Sequence, residues 1–98
     1  MVLNAKSKQD LEDFKSYILV EKNFSQHTAK AYYSDILAFL IWLGDEECEH
    51  INFAKIREYL HFMQVYNYQK TTVARKIASL RTFYKYLHRE QKIENNPA

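Results

Sequence analysis

Apolar residues recur at three- and four-residue intervals along most of the chain, and in four stretches they line up as one face of a helix. The first stretch runs from about Lys8 to Lys22, with Leu11, Phe14, Tyr17 and Ile18 as its stripe and Asp10, Glu12, Asp13, Lys15 and Glu21 on a charged face. The second opens at Ser25, a residue whose hydroxyl caps free backbone N–H groups, and runs to Leu43, where Gly44 stops it. Ala29, Tyr32, Ile36, Phe39, Leu40 and Leu43 form its main stripe, with Leu37, Ile41 and Trp42 adding apolar surface on other sides. That spread predicts a central helix, with Trp42 as part of the core.

Asn52 caps a third helix from about Phe53 to Tyr66, with Ile56, Tyr59, Leu60 and Met63 on one face. A fourth, basic amphipathic helix is predicted over residues 70–92, opened by Thr71 or Thr72 and seamed by Val73, Ile77, Leu80, Tyr84 and Leu87. The polar run after Gln91 ends at Pro97, which disfavours helix at Asn96 and closes the folded region. With one Gly and one Pro in 98 residues, hairpins have little to turn on, and an all-α domain with a single core is expected.

Composition narrows the function classes. Hydrophobic residues make up 47% of the chain, too many for a disordered segment, yet no apolar run reaches the roughly 18 residues that span a bilayer. Met1 to Gln9 is too polar for a signal peptide, so a soluble, cytoplasmic protein is expected. Cys48 is the sole cysteine, which excludes an intrachain disulfide and a cysteine zinc cluster. Asp45, Glu46, Glu47 and Glu49 lack the alternating ligands and central glycine of a calcium loop and read as solvated surface. Neither a metal nor another cofactor is called for.

The formal net charge of +2 is unevenly spread. Residues 1–69 carry 7 basic and 10 acidic side chains, whereas residues 70–98 carry 7 and 2, so the basic excess lies on the fourth helix. With Val73 at zero and about 100° per residue, Arg75, Ser79, Thr82, Tyr86 and Arg89 fall at about 160–240°, opposite the seam. Ala74, Ala78 and Lys85 lie at about 100–140° on the same wheel. Small residues let a helix axis approach a groove while long cations reach phosphates, and Arg75 has the length to reach a guanine edge. Thr71 and Thr72 set hydroxyls beside unpaired N–H groups where the helix dipole favours an anion, with Lys70 and Lys76 close in sequence. The dipole also accounts for Arg89 and Lys92 at the other end, as a solvated basic face would, but it opposes Arg75 and Lys76.

Ser25, Gln26, His27, Thr28, Ala31, Tyr32, Asp35, Ile36, Phe39, Trp42 and Leu43 resemble the second helix of the N-terminal core-binding, SAM-like domain of tyrosine recombinases of the Xer and phage-integrase type. Thr72, Val73, Arg75, Lys76, Ile77, Leu80, Arg81, Phe83, Tyr84 and Leu87 resemble that family's fourth helix, and residues 95–98 resemble its junction with a catalytic domain. The resemblance implies a four-helix orthogonal bundle over residues 1–94, forming one half of a clamp on duplex DNA. It also implies a linker beginning at residues 95–98 and other recombinase subunits as partners on DNA, the isolated domain being monomeric. Carried over position by position, it nominates Thr28 and Lys30 on the second helix and Thr71, Thr72, Arg75, Lys76 and Ser79 on the fourth as DNA contacts. His27 fits a phosphate contact or a capping role equally.

The chain is not itself expected to be an enzyme. Tyrosine attack on a phosphodiester requires arginines, a lysine and histidines around the phosphorus, a set the resemblance places in the absent catalytic domain. Tyr32, Tyr59 and Tyr84 lie on buried stripes, and the four histidines have no metal-ligand spacing. The competing reading is a helical protein-interaction module that offers Leu37, Ile41 or Phe62 to a partner helix.

Overall fold

A computed structural model describes residues 3–98. Among the described residues the chain is entirely helical, with α1 (Ala5–Val20), α2 (Gln26–Leu43), a 3₁₀ turn (Cys48–His50), α3 (Phe53–Val65) and α4 (Lys70–Arg89). These group into two compact units, the first ending at Cys48 and the second running from Glu49 to Ala98.

In the first unit α1 packs along α2. Leu11, Phe14 and Ile18 from α1 and Ala29, Ile36, Phe39, Leu40 and Leu43 from α2 are buried, as their periodicity predicts, while Tyr17 and Tyr32 are half-buried. Trp42 is also half-buried, stacked on Phe39 with ring centroids 6.0 Å apart. The two helices run antiparallel: the Asn4 N–H donates to the Gly44 carbonyl (3.3 Å), joining the start of α1 to the end of α2. Ser25 caps α2 by accepting from the Thr28 N–H, and Gly44 ends it at φ 71°.

The first helix starts earlier than its apolar stripe suggests, because the Asn4 side chain accepts from the Ser7 N–H and caps it. Asp10, expected on the charged face, is instead buried beside the Cys48 thiol, with Sγ to Oδ2 at 3.6 Å. The acidic link folds back over that side of α1. Ser7 Oγ accepts from the Cys48 N–H (2.9 Å), and Lys6 pairs with Glu47 (3.5 Å).

In the second unit Asn52 caps α3 through the Lys55 N–H. Ile56, Tyr59 and Met63 are buried on α3, and Leu80, Phe83, Tyr84, Tyr86 and Leu87 on α4, whereas Leu60, Val73 and Ile77 are only half-buried. Helices α3 and α4 end alike. Asn67 (φ 58°) and Gln91 (φ 60°) adopt the left-handed conformation that glycine usually fills. The following N–H groups, of Tyr68 and Lys92, turn back onto the Met63 and Leu87 carbonyls. The second of these turns stops α4 at Arg89, short of the expected residue 92.

Candidate nucleic-acid interface

Helix α4 has no acidic residue, and its surface divides sharply. On the wheel anchored at Val73, the buried side runs from about 220° round to about 20°, through Tyr86, Ser79, Phe83, Leu87, Leu80 and Tyr84. The exposed side spans about 60–200° and carries Lys70, Thr71, Ala74, Arg75, Ala78, Arg81, Lys85, His88 and Arg89. Six of these nine side chains are basic or imidazole, and the other three are small or hydroxylic. No carboxylate of this helix interrupts the field they present to a polyanion.

Two of the outward-facing assignments are overturned. Ser79 is fully buried and Tyr86 nearly so, at 0% and 7% exposure. Ser79, Phe83 and Tyr86 stand at i, i+4 and i+7, a second apolar stripe beside the main seam, and burying both stripes closes that side of the helix. Ser79 is therefore a core position, small enough to let other groups pack closely against the backbone, and its hydroxyl does not reach solvent. The spacing of Phe83 and Tyr86 was the available signal.

Arg75 and Thr71 are exposed, and Thr72 and Lys76 are half-buried. No threonine caps α4: the N-cap is Gln69, whose side chain makes no capping hydrogen bond, which puts Thr71 and Thr72 inside the first turn. Their backbone N–H groups remain among those a helix leaves without intrahelical acceptors.

Arg81 and Lys85, absent from the expected contacts, both lie on the exposed arc. Together with Lys70 they make no ion pair with the described residues, so their charge is fully available. Their four-residue spacing, with Ala78 three residues before Arg81, was a sequence signal for this face.

On α2, Lys30 is exposed and makes no ion pair with the described residues. Thr28 is exposed, but its hydroxyl is engaged locally, accepting from Ser25 Oγ at 3.0 Å. His27 beside it is exposed. Thr28 and Lys30 belong to the first unit and the α4 residues to the second. Among the described residues there is no group of three or more His, Cys, Asp or Glu placed to hold a metal, and no helix is long and apolar enough to cross a membrane.

The described residues thus form four α-helices and a 3₁₀ turn, the last helix basic and free of carboxylates, which makes this an all-α helical protein. The chain belongs to the family described as phage integrase, N-terminal SAM-like domain, which matches residues 11–91. Among curated proteins it is 36% identical over 97 residues to tyrosine recombinase XerC of Syntrophus aciditrophicus, covering 89% of this chain and 31% of that protein. It is 40% identical over 89 residues to tyrosine recombinase XerC of Listeria welshimeri, covering 88% and 30% respectively. The XerC of Staphylococcus haemolyticus is 36% identical over 86 residues, covering 86% and 29%. The chain thus spans about a third of the length of the curated relatives it matches. No solved structure matches.

Proposed function

We propose that this chain binds duplex DNA as the N-terminal half of a clamp in a site-specific tyrosine recombinase, with strand cleavage performed by a separate catalytic domain. The observation that carries this reading is the exposed arc of α4, rich in basic side chains, free of carboxylates and lined at its middle by Ala74 and Ala78. Small residues admit the helix to a groove and the flanking cations take phosphates on both sides. Arg75, Arg81 and Lys85 form the contact set on this arc, with the Thr71 hydroxyl and the first-turn N–H groups offered to one phosphate, whereas Thr72 and Lys76, half-buried at about 260° and 300° on the same wheel, lie off it. Lys30 supplies a further cation from α2. Membership of a family whose curated relatives are named tyrosine recombinases supports the same reading, in which the full protein acts in recombination with other recombinase subunits as its partners on DNA. The DNA-binding region is residues 1–94, with a linker starting at 95–98.

Fluorescence anisotropy with a labelled duplex, titrated at several salt concentrations, tests the proposal. Binding should weaken linearly in log–log form as salt rises, by a slope of about −0.9 for each phosphate neutralised. Replacing both Arg81 and Lys85 by Ala should flatten that slope by about 1.8. A salt-independent interaction, or a double variant with the original slope, would exclude α4 as the DNA-facing element.

A further inference from the structure

The first unit contains a groove of about 560 Å³ between α1 and α2, lined by Lys15 and Leu19 on one helix and Gln26, Ala29, Lys30 and Tyr33 on the other. Lys8, Glu12, Lys15 and Leu19 stand at i, i+4, i+7 and i+11, so a single face of α1 runs along this groove. Gln26, Ala29, Lys30 and Tyr33 do the same on α2. The floor is apolar, and two lysines from different helices stand at the rim.

The side chains along this face are ordered by a small polar network. The Tyr33 hydroxyl donates to Glu12 Oε2 (2.5 Å) and accepts from Lys8 Nζ (2.9 Å), while Lys8 also binds Glu12 directly (3.0 Å). Glu12 is thereby matched by Lys8 and leaves little negative charge facing the groove. Fixing the hydroxyl fixes the ring, and Lys15 Nζ stands 5.2 Å from the ring centroid, within cation–π range. A lysine that would otherwise sweep a wide volume is held at the groove by Tyr33.

We infer that this groove seats a phosphodiester of the bound duplex, with Lys15 and Lys30 as its two cationic contacts, Gln26 as a hydrogen-bond donor and Tyr33 as the residue that positions Lys15. The inference rests on the DNA-binding reading above and extends it to α1, where neither charge segregation nor the family resemblance placed a contact. The occupant follows from charge complementarity: the groove lining has two cations and no carboxylate. Its mouth is open to solvent along the paired helices, as backbone contact with a long polyanion requires.

The test uses the complete 98-residue chain and the same duplex titration. Lys15→Gln should weaken binding about eightfold at 0.1 M salt and flatten the salt slope by about 0.9, the loss of one phosphate contact. Lys15→Arg should restore both. Tyr33→Leu, which keeps both lysines but removes the positioning ring, should weaken binding in the same direction, with helicity by circular dichroism confirming that the variant is folded. If Lys15→Gln matches the unaltered chain in affinity and slope while the Arg81 and Lys85 double variant is impaired, the groove is not a DNA contact and the α4 reading stands. If the unaltered chain binds no duplex at low salt, both fall together.

Discussion

The backbone N–H of Cys48 donates to the hydroxyl of Ser7 over 2.9 Å, in a buried position and across 41 residues of chain. The bond fastens the segment after α2 onto the first turn of α1, beside buried Asp10. A buried N–H that loses its acceptor suffers its full desolvation cost, so Ser7→Ala should lower stability by about 1–3 kcal/mol. Urea denaturation followed by circular dichroism measures this. A loss within the error of a surface substitution would mean that the segment is not held through Ser7.

Of the four α-helices in the described residues, α4 is the one whose N-cap makes no side-chain hydrogen bond, while Asn4, Ser25 and Asn52 cap the others. Gln69 already has the extended backbone of a cap, at φ −62° and ψ 145°. Gln69→Ser should therefore stabilise the chain by about 0.5–1 kcal/mol, because a short hydroxyl can accept from the free N–H groups of the first turn. An unchanged urea midpoint would show that those donors are already satisfied in solution.

Ser79 separates a core role from a DNA-contact role cleanly. Because it is fully buried, Ser79→Ala should leave duplex affinity and salt slope unaltered. Ser79→Leu should overpack the site and cost about 1–3 kcal/mol of stability. Loss of DNA affinity in a stably folded Ser79→Ala protein would return this residue to the interface.

The Tyr33, Glu12 and Lys8 network has a pH signature. Hydrogen bonding from Tyr33, and next from Lys8, lowers the Glu12 pKa from its ordinary value of 4.5. Its stabilising contribution is therefore complete above 4.5 and is lost as pH falls through the lower folded value. Lys8 moves the opposite way, raised by Tyr33 and then Glu12, so its contribution is complete below 10.5 and is lost at more alkaline pH. The stability difference between the unaltered chain and Glu12→Gln should be level near neutrality and shrink on the acid side. Glu12 is 42% exposed and screened by solvent, so the difference is small and falls with added salt. A difference that grows as pH drops would contradict this assignment.

By itself the sequence determined the helical class, the start of α2 at Ser25, the start of α3 at Asn52 and the stop at Gly44, because capping and apolar periodicity are local and act through neighbouring residues. It also located the basic helix, since charge segregation survives any packing. Tertiary structure decided which sides of that helix face solvent. Helical periodicity gives the angle between two side chains but not the width of the arc that neighbours will cover, so Ser79 and Tyr86 passed for surface, while the two lysines at the groove between α1 and α2 gave no sign of facing one another. Asp10 was misplaced for a related reason: its surroundings are set by Cys48, 38 residues away in the chain, and no local rule carries that distance.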